Sequence, residues 1–358
     1  MQSKIKKISF KKQNIYIGID VHFKNWVITI MAEDIVYRTF SQNPKAKDLK
    51  KYLENNFPEG NYFSVYEAGF CGFSVHRELV KYGIKNIIVT PADIPATDKD
   101  KRQKEDKRDS RKLAKSLKNG ELTGIHILST ETEELRSLVR YRKTIVKELG
   151  RHKNRIKSML KFYGKEIPQE LDTASKYWSL NFIKWVKQIE TNTPEGSLVL
   201  QETIDTVEHL RTKQLKINKE LRRLSKDSRF SKTIKLLTSV PGIGLIIAFI
   251  FLSELETIKR FKNLDKLSSY VGLIPSTNSS GEKERTGNIT KRSNKLLRTS
   301  LIEAAWIALR QDPALILKYT ELKKRMSPNE AIVRIAKKVL NRIRYVLKNE
   351  QEYVIAIV

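Results

Sequence analysis

The sequence predicts an α/β domain followed by two predominantly helical regions. Over the first 125 residues, short β-rich runs alternate with amphipathic segments of helical spacing. Long segments with apolar residues near heptad spacing follow, and after them come apolar helices separated by glycine-containing turns. A chain of 358 residues is expected to hold two or three domains. These changes of pattern place them at residues 1–125, 126–230 and 231–358.

The first region opens with three β-rich runs separated by short polar breaks, which predicts a three-stranded antiparallel meander. The runs are IYIGID at 15–20, WVITIMA at 26–32 and IVYRTF at 35–40. The later elements are, in order, a helix at 45–57, a strand at 62–67, a helix at 75–83, a strand at 85–90 and a helix from Asp106 to its cap at Gly120. Three antiparallel strands followed by β-α-β-α is the order of a ribonuclease H-like domain.

The second region contains two long segments, 134–164 and 198–224, in which apolar residues lie among Arg and Lys residues. The apolar residues of the first segment, near heptad spacing, are Leu135, Leu138, Val139, Ile145 and Leu149. This spacing predicts two long antiparallel, coiled-coil-like helices joined by an ordered insert at 168–195. A solvated helix pair, a dimerisation stalk and a nucleic-acid-binding surface all fit the pattern.

The third region contains a helix that breaks at PGIG, residues 241–244, before a second, apolar helix. This arrangement resembles a helix-hairpin-helix turn, whose backbone amides at the start of the second helix bind phosphate. Gly242 and Gly244 are the candidate phosphate-binding residues. The basic residues that lie near them in the sequence are Lys232, Lys235, Lys259 and Arg260. The elements predicted after the turn are a glycine-punctuated loop at 272–294 and helices at 295–311 and about 327–348.

The charge balance indicates nucleic acid as a partner. The chain has 69 Lys and Arg against 40 Asp and Glu, a formal net charge of +29, and such an excess repels itself unless a polyanion shares the surface. A membrane is disfavoured because the longest apolar stretch, at 243–252, is too short to span a bilayer. The basic N-terminal segment lacks the apolar region of a secretory signal, so a bacterial-type cytoplasm is expected. The single cysteine, Cys71, excludes internal disulfides and is expected to pack.

Four acidic residues are expected to converge in the first region. Asp20 and Glu67 end two apolar strands, while Asp106 and Asp109 share one face of a helix at its first turn. Strands one and four are neighbours in a ribonuclease H-like sheet, and that helix packs against them. Clustered carboxylates suit Mg²⁺ or Mn²⁺, and two such ions about 4 Å apart can hold the attacking and leaving oxygens of a phosphodiester. Helix N-termini favour acids in any case, which explains the helical pair but not the strand-end pair.

Basic residues surround the helical acids. Residues 101–118 include nine Lys or Arg, a composition that suits contact with a phosphate backbone. The candidate contacts in this stretch are Lys104, Lys107, Arg108 and Arg111.

The loop NSSGEKERTG, at 278–287, offers hydroxyl groups beside cations. A serine that attacks a phosphodiester needs exposure, mobility and positive charge around the phosphate. Ser and Gly are also ordinary loop residues, so these features alone favour a simple loop. Tyr270, just upstream, is a rival nucleophile that is expected to pack. The basic residues in and beside the loop are Lys283, Arg285, Lys291, Arg292 and Arg298.

Taken together, the motifs resemble one protein family. IGIDVH, YEAG, KEDKRDSRKLA, SVPGIGLIIA and LSSYVGLIPSTNSSGEKERTGNITKRSNKLLR stand in the order of the insertion-sequence one-ten family. Members are DEDD transposases that act as bridge-RNA-guided recombinases, and pilin-gene DNA invertases are relatives. The resemblance covers about 14–125 and 232–310, and the linking helices match only in character.

The resemblance implies specific roles. Asp20, Glu67, Asp106 and Asp109 match the four metal-binding acids, and Ser280, the serine before Gly281, matches a nucleophile that forms a covalent phosphoserine bond to DNA. It also implies two Mg²⁺ or Mn²⁺ ions, and a structured bridge RNA that pairs with donor and target DNA. The family completes its site between subunits, so a homo-oligomer, dimer or tetramer, is expected.

Two positions depart from the family pattern. Ser293 stands where the family commonly has a glycine, in KRSN in place of KRGN. Ser110 follows the last aspartate, where a small apolar residue is usual.

Two other functions fit the residues. A metal-dependent nuclease of the junction-resolvase type would use the four acids alone, and Ser280 would be incidental. A nucleic-acid-binding protein with an inactive catalytic domain would use the basic surfaces only, although the presence of all four acids argues against it. A transposase and a site-specific invertase share their chemistry, and the sequence does not separate them.

Overall fold

The computed structural model describes residues 9–95, 105–280, 283–290 and 292–355, without the side chains of 276–280, 283–286 and 288. The chain forms two compact units, Met1–Leu128 and Ser129–Val358. The first unit contains a sheet with helices on both faces, and the second is almost entirely helical. The predicted further boundary at 230 stays a prediction.

The first unit contains a five-stranded sheet of strand order β3-β2-β1-β4-β5. Its strands are β1 (Asn14–Val21), β2 (Trp26–Ala32), β3 (Ile35–Gln42), β4 (Asn61–Glu67) and β5 (Lys85–Val89). Strands β1, β2 and β3 form an antiparallel meander, and β4 and β5 run parallel to β1. The predicted meander and the predicted pairing of the first and fourth strands are therefore confirmed.

Helices cover both faces of this sheet. They are α1 (Ala46–Asn56), α2 (Ser74–Lys81) and α3 (Asp106–Lys118). On one face Ile15, Ile17 and Ile19 of β1 are fully buried in a core that also contains residues of α1 and α2. On the other face Leu113 of α3 packs with Val65 of β4. The isoleucines alternate with Gly18 and Asp20 because successive side chains of a strand point to opposite faces.

Gly18 allows α3 to pack directly on β1. A Cβ at this position would clash with the backbone oxygen of Ser110 and would lie 2.5 Å from the backbone nitrogen of Ala114. Because both atoms belong to the helix backbone, no side-chain rotation would relieve the overlap. The glycine within IYIGID therefore holds the first turn of α3 close to the end of β1.

We expect Gly18→Ala to lower the free energy of unfolding by about 2–3 kcal/mol, since overpacking forces the backbone apart. Gly150→Ala is the matched control, because a Cβ there would meet no heavy atom of the described residues within 4 Å. That change, inside a long helix, should raise stability by about 0.5–1 kcal/mol. Urea unfolding followed by circular dichroism measures both. Equal stability of Gly18→Ala and the wild type would contradict the close approach of α3.

The second unit begins with two long helices, α4 (Thr130–Phe162) and α6 (Pro194–Leu224), with the short helix α5 (Leu180–Lys187) in the connection between them. Leu135 and Val139 share a core with Leu221, whereas Ile156 shares another with Ile204. The start of α4 thus packs on the end of α6, which confirms the predicted antiparallel pair. The coiled-coil geometry itself stays a prediction.

The rest of the second unit contains six α-helices, a short 3-10 helix (Ile258–Arg260) and one hairpin among the described residues. The helices are α7 (Ser231–Thr238), α8 (Leu245–Leu255), α9 (Leu264–Val271), α10 (Lys295–Gln311), α11 (Pro313–Lys323) and α12 (Pro328–Asn349). They bury a core that extends to the near ends of the long helices. None of the helices in the described part of the chain is long and apolar enough to cross a membrane.

One prediction in this part was wrong, and one helix was missed. The loop predicted at 272–294 contains an antiparallel hairpin of β6 (Pro275–Ser280) and β7 (Lys283–Ile289). Its Ser, Asn and Gly content suggests a loop, but Thr277 pairs with Thr286, and β-branched residues favour strands. The helix α11 was not predicted, although Asp312 accepts a hydrogen bond from Leu315 N at its start and Pro313 occupies its first turn.

Candidate active site

The ends of β1 and α3 bring two of the four predicted acids together. Asp20 lies near the end of β1, and Asp106 is the first residue of α3. His22, just beyond β1, places its Nε2 3.1 Å from Asp20 Oδ2 and 3.4 Å from Asp106 Oδ2. One ligand atom of each of these three residues lies within 4.8 Å of the others. The group is therefore compact enough to hold a metal ion.

The other two acids lie on the same side of the unit. Asp109 is one helical turn after Asp106, and its charge contributes to raising the pKa of Asp20. Glu67 ends β4, two residues after Val65, which packs with α3. By the alternation of a strand, Glu67 shares the face that α3 covers. Direct placement of ligand atoms is shown for Asp20 and Asp106, and the four-acid site as a whole stays a prediction.

The half-buried Asp20 is held under electrostatic strain. Burial raises the pKa of its carboxyl group, the neighbouring His22 lowers it, and the charges of Asp106 and Asp109 raise it further. The net shift is upward. A divalent cation would remove this cost, because it supplies the positive charge that the cluster lacks. The donor set, at least two carboxylates and one imidazole, thus fits a metal ion.

Ser110, the departure that follows Asp109, has a local explanation. Its side chain is fully buried, and its hydroxyl lies 2.9 Å from the hydroxyl of Thr29, which is also fully buried. Thr29 in turn lies 2.9 Å from the hydroxyl of Thr39. A buried hydroxyl is tolerated when it is hydrogen-bonded, so the exchange of an apolar residue for serine is matched by threonines on β2 and β3.

The basic residues around the acids are partly described. Lys107 and Arg111 are exposed on α3, and Arg108 lies 3.4 Å from Glu105. Lys104 lies outside the described residues. The contacts of this group with nucleic acid stay predictions.

The PGIG segment forms the predicted turn between α7 and α8. Gly242 has φ +85°, and a Cβ there would clash with the backbone of α10 at Ala304. Its N–H donates to Gln311 Oε1 at 2.7 Å. Gly242 therefore serves the packing of the turn, and its amide already has a partner within the protein. Gly244, by contrast, is exposed at the start of α8, and its contact with phosphate stays a prediction.

The candidate nucleophile lies at the tip of the hairpin. Ser280 is the last residue of β6 and pairs with Lys283, while Asn278 pairs with Arg285. Gly281 and Lys291 lie outside the described residues. The predicted role of Ser280, and those of Lys283 and Arg285, rest on the sequence.

The base of the hairpin is anchored by residues predicted for other roles. The Arg298 guanidinium donates to the backbone oxygen of Thr290 at 2.9 Å. Tyr270 packs as expected, and its hydroxyl donates to the backbone oxygen of Glu254. Ser293, which replaces a family glycine, lies against Gly272, where a Cβ would clash with it. Arg292 is exposed. Arg298 therefore stabilises the base of the hairpin, and its contact with a phosphate stays a prediction.

A buried ionic network that the sequence does not indicate links α4, α8 and α10. Glu254 is fully buried, and its carboxylate accepts bonds from Arg140 at 2.8 and 3.0 Å and from the Asn294 amide at 2.8 Å. Arg136 lies 3.4 Å from the same carboxylate and donates to the backbone oxygens of Ser253 and Glu254. The two arginines lie more than one hundred residues before Glu254, and Asn294 lies 40 residues after it, so no local spacing indicates the network.

His22 was also missed, although the sequence contains a signal for it. Asp20 and His22 are two residues apart at a strand end, and such residues point to the same face. A histidine two residues after an aspartate at a strand end is a pattern that the sequence alone can reveal.

The comparisons with known proteins agree with this architecture. Residues 17–165 match the transposase family DEDD_Tnp_IS110, and residues 234–320 match the transposase IS116/IS110/IS902 family. The sheet with its acids and the helical unit with its hairpin therefore belong to a protein of the transposase class. The chain is a member of the IS110 family.

Individual relatives are similar along most of the chain. The chain is 29% identical to the y4qE protein of Sinorhizobium fredii over 68% of its own length, a match that spans only 58% of that relative. It is 27% identical to the y4rJ protein of the same organism over 91% of this chain and 90% of the relative. It is 26% identical to the transposase for insertion sequence element IS1533 of Leptospira borgpetersenii, over 70% of this chain and 72% of the relative.

Proposed function

We propose that this protein cuts and rejoins DNA to move an insertion sequence, with Asp20, Glu67, Asp106 and Asp109 as metal ligands and Ser280 as nucleophile. The observation that carries the proposal is the convergence of Asp20 and Asp106 in a chain that belongs to a DEDD transposase family. The strand order of the first unit supports a ribonuclease H-like fold.

The acidic residues and the basic residues beside them have different roles at the phosphate. When bound, two Mg²⁺ or Mn²⁺ ions supply positive charge that stabilises the phosphodiester as it becomes more negative. Asp20 and Asp106 provide the oxygen ligands from two rigid elements, so their spacing is fixed by the contact of α3 with β1. Lys107 and Arg111, exposed beside them, bind the DNA backbone through charge without reading its sequence.

Ser280 makes the reaction a transesterification. Its Oγ forms a bond to phosphorus, the bond from phosphorus to one deoxyribose oxygen breaks, and that oxygen takes up a proton while the serine proton leaves. One phosphoester replaces another, so the DNA can be rejoined by the reverse reaction without an external energy source. The position of Ser280 at a hairpin tip, opposite Lys283, supports this role because a nucleophile needs access to a large substrate.

The proposed partners are DNA, a bridge RNA and further copies of the chain. The net charge of +29 supports binding of polyanions, and both DNA and RNA are polyanions. Tyr141 on α4 and Leu215 on α6 are exposed by 50% and 60%. An oligomer formed through these helices would bury both side chains.

A metal-dependent nuclease is the second candidate. The acids lie wholly within the first compact unit, while Ser280 belongs to the second. Cleavage by water at the metal site would therefore need nothing from the hairpin.

Trapping of a covalent intermediate tests the proposal. The protein is incubated with end-labelled element DNA, its flanking non-coding RNA and Mg²⁺, then denatured and separated by electrophoresis. Labelled DNA should migrate with the wild-type protein and with Ser279→Ala, and this adduct should be lost in Ser280→Ala. Cleavage without an adduct, at equal rates in the wild type and Ser280→Ala, would contradict the serine mechanism and favour the nuclease.

A further inference from the structure

His22 points one particular nitrogen at the acidic cluster. Its Nε2 is 3.1 Å from Asp20 Oδ2 and 3.4 Å from Asp106 Oδ2, so this atom lies between the two carboxylates. Nε2 can hydrogen-bond the Asp20 carboxylate only as a proton donor. A metal ion that binds Asp20 and Asp106 would occupy the place of that proton.

The backbone of His22 is fixed by a hydrogen bond, whereas its imidazole side chain can rotate. His22 follows β1 directly and its backbone N–H donates to the oxygen of Asn25 at 3.1 Å, which closes the turn between β1 and β2. Its side chain is 39% exposed. A small rotation can therefore bring Nε2 to metal-ligand distance without disturbing the core.

A nitrogen ligand changes the choice of metal. Mg²⁺ takes oxygen ligands and keeps most of its water, whereas imidazole is a common ligand of transition-metal ions. Acids alone would accept Mg²⁺ and Mn²⁺ with similar ease. One imidazole added to two carboxylates favours Mn²⁺, because an imidazole nitrogen binds Mn²⁺ more tightly than Mg²⁺.

We infer that His22 Nε2 is a direct ligand of the cation held by Asp20 and Asp106 and that it gives this site a preference for Mn²⁺ over Mg²⁺. The inference rests on the proposed metal site and adds to it a ligand and a metal specificity. It concerns binding, so it can be tested without any DNA reaction.

The first measurement is the pulsed electron paramagnetic resonance spectrum of the full-length protein loaded with Mn²⁺ alone. Nitrogen-14 modulation from a bound imidazole is expected in the wild type and in His209→Gln, an exposed histidine of α6. It should be absent in His22→Gln, which offers an oxygen near the place of Nε2. Modulation of equal depth in His22→Gln would overturn the inference.

The second measurement is calorimetric titration with each metal. His22→Gln is expected to weaken Mn²⁺ binding about tenfold and Mg²⁺ binding by less than about threefold. An equal loss for both metals would mean that His22 only orients the acids, and it would contradict direct ligation.

Asp20→Asn and Asp106→Asn separate this inference from the function on which it rests. If Mn²⁺ binding is unchanged in both variants, the proposed metal site itself is wrong. If binding is lost in both but the wild type shows no nitrogen-14 modulation, the metal site stands and His22 is not its ligand.

Discussion

The Asp20→Asn protein is expected to lose DNA cleavage by about 10²–10³-fold and, in the presence of a chelator, to unfold at a higher temperature than the wild type. The loss follows from removal of one charged metal ligand. The gain follows from electrostatics, because burial and the charges of Asp106 and Asp109 raise the pKa of Asp20 despite His22. At neutral pH the folded protein holds a carboxylate that would be more stable in water. Asparagine keeps the shape and removes that charge.

The pH dependence of this stability gain has a definite sign. A carboxyl group whose pKa is raised by folding binds its proton more tightly in the folded state, so its contribution to stability is complete below the unfolded pKa and is lost as pH rises through the folded pKa. The gain from Asp20→Asn should therefore be largest at neutral pH. It should shrink as pH falls through the pKa of Asp20, which lies above the ordinary value of 3.8.

Asp34→Asn is the matched control in the same unit. Asp34 is exposed and paired with Lys118, and the hydrogen bond from Lys118 lowers its pKa. The same chemical change should leave cleavage unaltered and should not raise the unfolding temperature. Thermal unfolding in EDTA and a cleavage assay in Mn²⁺ measure the two effects separately. If Asp20→Asn lowered the unfolding temperature in EDTA, Asp20 would be a structural ion-pair partner and the strain argued for it would not exist.

The first unit could be predicted in detail because its signals are local. Each strand is a short apolar run, and strand alternation fixes the face on which Asp20 and Glu67 lie. The contact that sets the geometry was less visible. Nothing in IYIGID distinguishes Gly18 from any other small residue of a strand. Because Gly18 faces the backbone of α3, it nevertheless determines how closely Asp106 approaches Asp20.

The second unit could be predicted only in part, for a physical reason. The long helices and the PGIG turn have local signals in heptad spacing and in the Pro-Gly pair. The hairpin does not, since its Ser, Asn and Gly residues are commoner in loops than in strands, although its two strands are neighbours in the sequence. The Glu254 network depends on contacts between residues such as Arg140 and Glu254, 114 positions apart, which no window along the sequence contains.

The Glu254→Gln protein is expected to lose about 3 kcal/mol of stability, because the change breaks the ion pairs of a buried carboxylate and leaves the partly buried Arg136 without its counter-ion. Burial opposes ionisation of Glu254, but the hydrogen bond from Arg140 and the charges of Arg136 and Arg140 outweigh it, so the pKa of this carboxyl group is lowered. Glu303→Gln, an exposed change on α10, should alter stability by less than about 0.5 kcal/mol. Urea unfolding of the full chain measures both variants.

The lowered pKa gives this effect a pH dependence opposite to that of Asp20. A carboxyl group whose pKa falls on folding contributes stability above its unfolded pKa, and this contribution is lost as pH drops through the folded value. The difference between the wild type and Glu254→Gln should therefore persist at neutral pH and narrow only below the ordinary glutamate value of 4.5. A difference that is independent of pH would mean that lost packing, and not lost charge, destabilises the variant.

The network also connects stability to the proposed chemistry. Asn294 donates to the Glu254 carboxylate and accepts from Leu297 N at the start of α10, directly after the hairpin that carries Ser280. Loss of the carboxylate should loosen this anchor, so adduct formation in Glu254→Gln is expected to fall even at temperatures where the protein remains folded. A double-mutant cycle with Arg140→Gln isolates the ion pair, since a coupling energy near zero would show that Arg140, exposed by 56%, prefers water to Glu254.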